Sequence, residues 1–130
     1  MMESGFMEAA EQYEAHWVLR AIADLDSAKY LYEGRKSPDI VIYLCLQSLE
    51  KILKSLWVKH GISIIRTHDL RRLSEKLIEL EPWVTEFADG LYYINDFLNN
   101  IRYPEGGNCS SDDAMQCLLI AESFFKRVQS

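Results

Sequence analysis

Apolar residues recur at steps of three and four along almost the whole chain, and no stretch alternates with the two-residue period of a strand. That pattern confines the fold to packed helices. Only three prolines and six glycines interrupt the 130 residues, and they fall where helices would start or stop. A chain of this length makes one domain with a real core and is too short for two ordinary ones. A single domain over 1–130 is expected, its core at about residues 15 to 128.

The spacing predicts a first helix from about Glu8 to Glu33, on Val18, Ala21, Leu25, Ala28 and Tyr32, with Gly34 as its stop. Ser37-Pro38-Asp39 opens a second: a capping hydroxyl, proline at the first helical position, an acid in the first turn. It runs to Lys59-His60-Gly61, about 33 Å at 1.5 Å per residue. Its start, Ile40–Leu46, is apolar almost all round, which places it centrally or against a second subunit, with Trp57 further along. A third helix, about His68 to Leu80, carries Leu70, Leu73, Leu77 and Leu80.

Glu81-Pro82 breaks that helix and starts a fourth, where Val84, Phe87, Leu91, Ile94, Leu98 and Ile101 form a heptad seam that Tyr103-Pro104 closes. After a Gly-Gly loop, Ser110 or Ser111 caps a fifth helix, with Asp112 and Asp113 in its first turn and Lys126 and Arg127 in its last. The expected fold is all-α: an up-and-down bundle of five helices with a four-helix core, neighbours antiparallel.

Lys and Arg total 14 against 20 Asp and Glu, a net charge of −6, so any nucleic-acid contact must come from a local basic patch. The longest apolar run is seven residues, far short of the ~18 of a membrane span. The acidic N-terminal stretch has no secretory pattern, and three cysteines without CxxC spacing suit a reducing cytoplasm. Cys45, inside the apolar run, reads as a buried small hydrophobe.

The chemistry-bearing motifs are few. The three histidines are His16, His60 and His68; none follows a Glu by three, and His-Glu-x-x-His is absent, so no metal site is expected. No phosphate loop follows a strand, and no cofactor is expected. Three segments remain. Glu50 and Lys54 lie one turn apart within Gln47–Leu56, a helix-stabilising pair. In Arg66-Thr67-His68-Asp69-Leu70, Thr67 or Asp69 caps and His68 packs, or the segment carries function. In Asn99–Pro104, Arg102 either satisfies free carbonyls at a helix end or offers a planar fork to a phosphate. Tyr103 beside it brings a stacking face and a hydroxyl. The acids after Pro38 and Ser111 occupy and repel at those helix starts, so the expected phosphate contacts are side chains: Arg102 with Arg66, and Lys51 or Lys54 where their helix faces that way.

In order, EKxLKxLWxxxG (Glu50–Gly61), RTHDL (Arg66–Leu70), IRYP (Ile101–Pro104) and a capped final helix resemble the HEPN domain family, and Ala23–Ala28 suits its first helix. The resemblance implies a helical bundle, a homodimer, and a connection with nucleotide or RNA binding. It also implies a minimal nucleotidyltransferase as partner protein, in a toxin–antitoxin or regulatory pair. The family's RNases carry Arg-x(4–6)-His, the histidine working on the RNA 2′-hydroxyl and the arginine steadying the phosphate. This chain departs there: no histidine follows Arg102, and none of the three is preceded by an arginine at that spacing. The expectation is therefore a non-catalytic module for a nucleotide, RNA phosphate or partner protein. The rival is an RNase with a diverged site, His68 serving as base.

Overall fold

A computed structural model describes the backbone of residues 2–98 and 109–130, with side-chain surroundings from Tyr13 onward. Helix α1 spans Met2–Glu33, starting earlier than the periodicity predicts. Its end differs from expectation too. Arg35, not Gly34, takes the left-handed conformation, at φ 56°. The Lys36 amide donates to the Leu31 carbonyl at 2.9 Å and the Arg35 amide to Tyr32 at 3.0 Å, closing the helix with a Schellman turn. Gly34 sits one position too early to supply the left-handed residue.

Helix α2, Pro38–Lys59, has the expected bounds. The Ser37 hydroxyl makes no cap bond, contrary to the sequence reading. The anchoring acid is Asp39, whose carboxylate accepts from the Cys109 amide at 2.9 Å and ties the start of α2 to the approach of the last helix. Val41, Ile42, Cys45 and Leu46 are buried within this one chain, while Ile40 and Tyr43 face outward. Trp57 also belongs to this core: it is buried, and its indole N–H donates to the Leu73 carbonyl at 3.0 Å. It is not available to a second subunit. Gly61, at φ 69°, ends α2 with the same turn that ends α1.

Residues 60–69 then run back along α2, so helix α3, Leu70–Leu80, lies parallel to it rather than antiparallel. His68 stands beside Glu50, Leu73 beside Trp57, and Glu81 beside Lys59, three contacts that rise together along both helices. Helix α3 starts two residues later than expected because Asp69 is its cap, accepting from the Arg71 amide at 2.9 Å.

The predicted continuous fourth helix is in fact two pieces. Pro82–Phe87 is a 3-10 helix, and α4 is Ala88–Asn95. Steps of three satisfy a 3-10 turn as well as an α-turn, so the heptad pattern could not separate them. The tighter winding lets Trp83, Phe87 and Phe124 meet with ring centroids 5.2–5.9 Å apart. A turn at Asp96 precedes helical residues 97–98. The rest of the expected seam, its Tyr103-Pro104 stop and most of the Gly-Gly loop lie outside the described residues.

Helix α5, Ser111–Gln129, opens with a full capping box: Ser110 Oγ accepts from the Asp113 amide at 3.0 Å, and Asp113 returns the bond at 2.9 Å. Ala114, Cys117, Leu118, Ala121, Phe124 and Phe125 form its buried face. Among the described residues there are thus five α-helices and no strand. Helices α1, α2, α4 and α5 surround the core, and α3 packs against α2 and α4. No described helix is long and apolar enough to cross a membrane.

Candidate ligand site at the α2–α3 junction

Midway along α2, the buried face meets the approach to α3. Glu50 lies on that face, between Leu46 and Leu53 in the helical repeat, and is only 6% exposed. Two nitrogen-bearing side chains meet its carboxylate. Lys54 Nζ stands 3.4 Å from Oε2, and His68 Nδ1 stands 2.6 Å from Oε1. Lys54 is itself 9% exposed and lies beneath the ring of Trp17 from α1, 5.6 Å from the centroid.

His68, by contrast, presents a side chain 56% exposed. One edge of its ring is held by a buried carboxylate, and more than half of the side chain is open to solvent. The backbone that carries it is fixed on both sides. Thr67 Oγ1 accepts from the Asp69 amide at 3.1 Å. Asn95, at the end of α4, accepts from the Leu70 amide at 2.9 Å and donates to Asp69 at 3.0 Å. The imidazole therefore sits on a segment pinned to α4 and on a ring pinned to α2.

The basic side chains proposed from sequence are placed differently from one another. Arg66 is exposed, two residues before His68. Lys51 pairs with Asp24 of α1. Lys54 turns inward onto Glu50. Arg71 stacks on Tyr92, 4.4 Å from the ring centroid, and Arg72 is exposed. Arg66, His68, Arg71 and Arg72 thus all fall within seven residues at the start of α3, while both lysines are already engaged. Arg102 and Tyr103 lie outside the described residues. Glu50 is the residue that sequence reasoning passed over. Its signal was a carboxylate on the apolar stripe Leu46–Leu53–Trp57, which a pairing with Lys54 alone does not explain.

No thiol competes for a chemical role. Burial, then the field of Glu122, pushes the Cys45 thiol up to about 12. Cys109 is raised to about 11 by burial and by its hydrogen bond with Asp39, and Cys117 is raised by burial. All three stay protonated at neutral pH and are poor nucleophiles. Among the described residues no three His, Cys, Asp or Glu side chains are grouped to hold a metal ion.

Comparison with known proteins agrees with the architecture. The family model described as "HEPN domain" matches residues 15–130. The chain belongs to the HEPN domain family. Its fold is also that of the crystal structure of ST0689, an archaeal HEPN homologue, with a TM-score of 0.71 at 22% identity over 89% of this chain and 94% of that one. A search of curated proteins found no match. HEPN domains are nucleotide-binding and RNase-type modules, and in this one the Glu50–His68 junction falls inside the matched region.

Proposed function

We propose that this HEPN domain is a non-catalytic module that binds the phosphate of a nucleotide or an RNA through the surface at the start of α3. The observation that carries the reading is the His68 ring, held by buried Glu50 at 2.6 Å with more than half of its side chain open to solvent, two residues after exposed Arg66. Arg66 brings a permanent planar cation and the imidazole a second donor. In a chain of net charge −6, this concentration of Arg66, Arg71 and Arg72 is a local basic patch of the kind nucleic-acid contact requires. Absence of the family's Arg-x(4–6)-His pattern supports the non-catalytic part.

The family also supports a homodimer, with a minimal nucleotidyltransferase as partner protein in a toxin–antitoxin-like or regulatory pair inside the cytoplasm. Outward-facing Ile40 and Tyr43 are apolar groups that a second copy would cover. Light scattering tests the dimer: a mass near the monomer's 15.1 kDa at micromolar protein would refute it. A thermal-shift screen against nucleotides and short RNAs tests phosphate binding, because a ligand bound only by the folded state raises stability by mass action. Failure of every nucleotide and RNA to move the transition would reject it.

A second reading, an RNase with a diverged site, is favoured by one observation. A carboxylate behind an imidazole is also the arrangement of a general base. Cleavage of RNA by the wild type that disappears in His68→Ala would establish it.

A further inference from the structure

We infer that Glu50 is a positioning residue that holds His68 in its Nδ1–H tautomer, so that Nε2 takes up a proton when the site captures a phosphate ester. This rests on the phosphate-binding reading above. An ionised carboxylate only accepts hydrogen bonds. Glu50 is paired with Lys54 at 3.4 Å, and the Nδ1–Oε1 separation is 2.6 Å, so the proton of that bond belongs to Nδ1. A neutral ring with its proton on Nδ1 has its lone pair on Nε2, and more than half of the side chain is open to solvent.

The charge count gives the coupling its direction. With a neutral imidazole, Glu50, Lys54 and His68 sum to zero. With an imidazolium they sum to +1. An anion at Nε2 favours the second state, and the proton comes from solvent onto Nε2 with no other bond made or broken. Arg66 adds a charge that does not change with pH. Of the other charged groups, Asp69 accepts from the Arg71 backbone amide and from the neutral Asn95 amide and keeps its charge, Lys51 is paired with Asp24 of α1, the Arg71 guanidinium lies on Tyr92, and Arg72 is exposed. From α4 the neutral Asn95 is the contributor, and from α1 the Trp17 ring over Lys54. Because linkage is reciprocal, anion binding draws in a proton and a proton strengthens anion binding.

The test uses the dinucleoside monophosphate ApA, whose single phosphodiester keeps one charge throughout the imidazole range, so any proton change belongs to the protein. Calorimetric titration at pH 7.5, in two buffers of different ionisation enthalpy, reads protons taken up per ApA bound. Nitrogen NMR of the free protein reads the His68 tautomer. The expected results are a predominant Nδ1–H tautomer and proton uptake on binding. Affinity should fall as pH rises, by at most about tenfold per pH unit, wherever the free ring is neutral and the bound ring protonated. His68→Gln, at an exposed position, should keep the fold and abolish both the uptake and the pH slope. Glu50→Gln should reduce the uptake. Should that variant fail to fold, the wild-type tautomer still decides, and a predominant Nε2–H form overturns the inference. ApA binding without uptake, or uptake that survives His68→Gln, also overturns it while leaving phosphate binding intact. No ApA binding at all overturns both.

Discussion

Gly90 of α4 lies so close to Ile120 of α5 that a Cβ on the glycine would stand 3.0 Å from Ile120 Cγ2. This contact is where α4 and α5 approach most tightly among the glycine positions described, and it sets two effects against each other. Alanine is better than glycine inside a helix by about 1 kcal/mol. Against that, Ile120 is β-branched and has one strongly preferred rotamer in a helix, so its methyl cannot easily swing away. The steric effect is expected to win. Gly90→Ala should destabilise by about 1 kcal/mol, and Gly90→Ala combined with Ile120→Ala should show a favourable coupling of at least about 0.5 kcal/mol in urea unfolding. Additive effects would show that the helices shift apart without strain.

The two Schellman turns make a matched pair with different residues at the left-handed position. Arg35 carries φ 56° where Gly61 carries φ 69°. A side chain in that region costs roughly 1 kcal/mol, and glycine removes the penalty while adding some freedom to the unfolded chain. Arg35→Gly should therefore stabilise by up to about 0.5 kcal/mol. Gly61→Ala has open space around it but meets the backbone penalty, and should destabilise by about 1 kcal/mol. Chemical denaturation of both variants compares them directly; equal and opposite signs to these would mean that the turns are not held as described.

Those turns also show what local sequence can and cannot specify. Pro38 as a start, Gly61 as a stop and a serine cap at Ser110 or Ser111 were legible because each acts within four residues of itself, though the return bond from Asp113 was not read. The parallel course of α3 was not, since no local signal records that the Trp57 indole will find the Leu73 carbonyl sixteen residues on. The 3-10 segment at Pro82–Phe87 was hidden by a spacing that two helix types share. The site was half legible. His68 and Arg66 stood out as chemistry-bearing residues, but Glu50 looked like one end of an ordinary helical pair until the fold brought His68 onto its other oxygen.

The buried thiols predict a loss of stability on the alkaline side. Cys45 is raised from 9.0 to about 12 by burial, so between those values the folded chain holds a proton that the unfolded chain has released. Stability then falls as pH rises, by at most roughly 1.4 kcal/mol per pH unit for that group. The contribution is fully present below pH 9 and declines above it. Cys45→Ala should flatten the alkaline limb of a stability–pH curve relative to the wild type. It should also lower stability at pH 7 through the small cavity it leaves. An unchanged alkaline slope in that variant would assign the decline to other groups.

Glu50 and Lys54 form a nearly buried ion pair, and such pairs are destabilising to break but not always to replace. Glu50→Ala removes the partner of a lysine that is held under Trp17 with little access to water. The expected loss is about 3 kcal/mol, because an uncompensated ammonium remains beside an aromatic ring. Glu50→Leu with Lys54→Met fills similar volume with apolar groups and leaves neither charge stranded. That double variant should recover to within about 1 kcal/mol of the wild type. The two changes together would still release His68, since nothing then accepts from Nδ1 on the α2 side. A double variant that is stable yet shows the ordinary solution mixture of His68 tautomers would separate the two roles of Glu50: its charge pairing with Lys54, which apolar packing can replace, and its grip on the imidazole, which it cannot. A double variant as unstable as Glu50→Ala would instead make the pair itself indispensable to the fold.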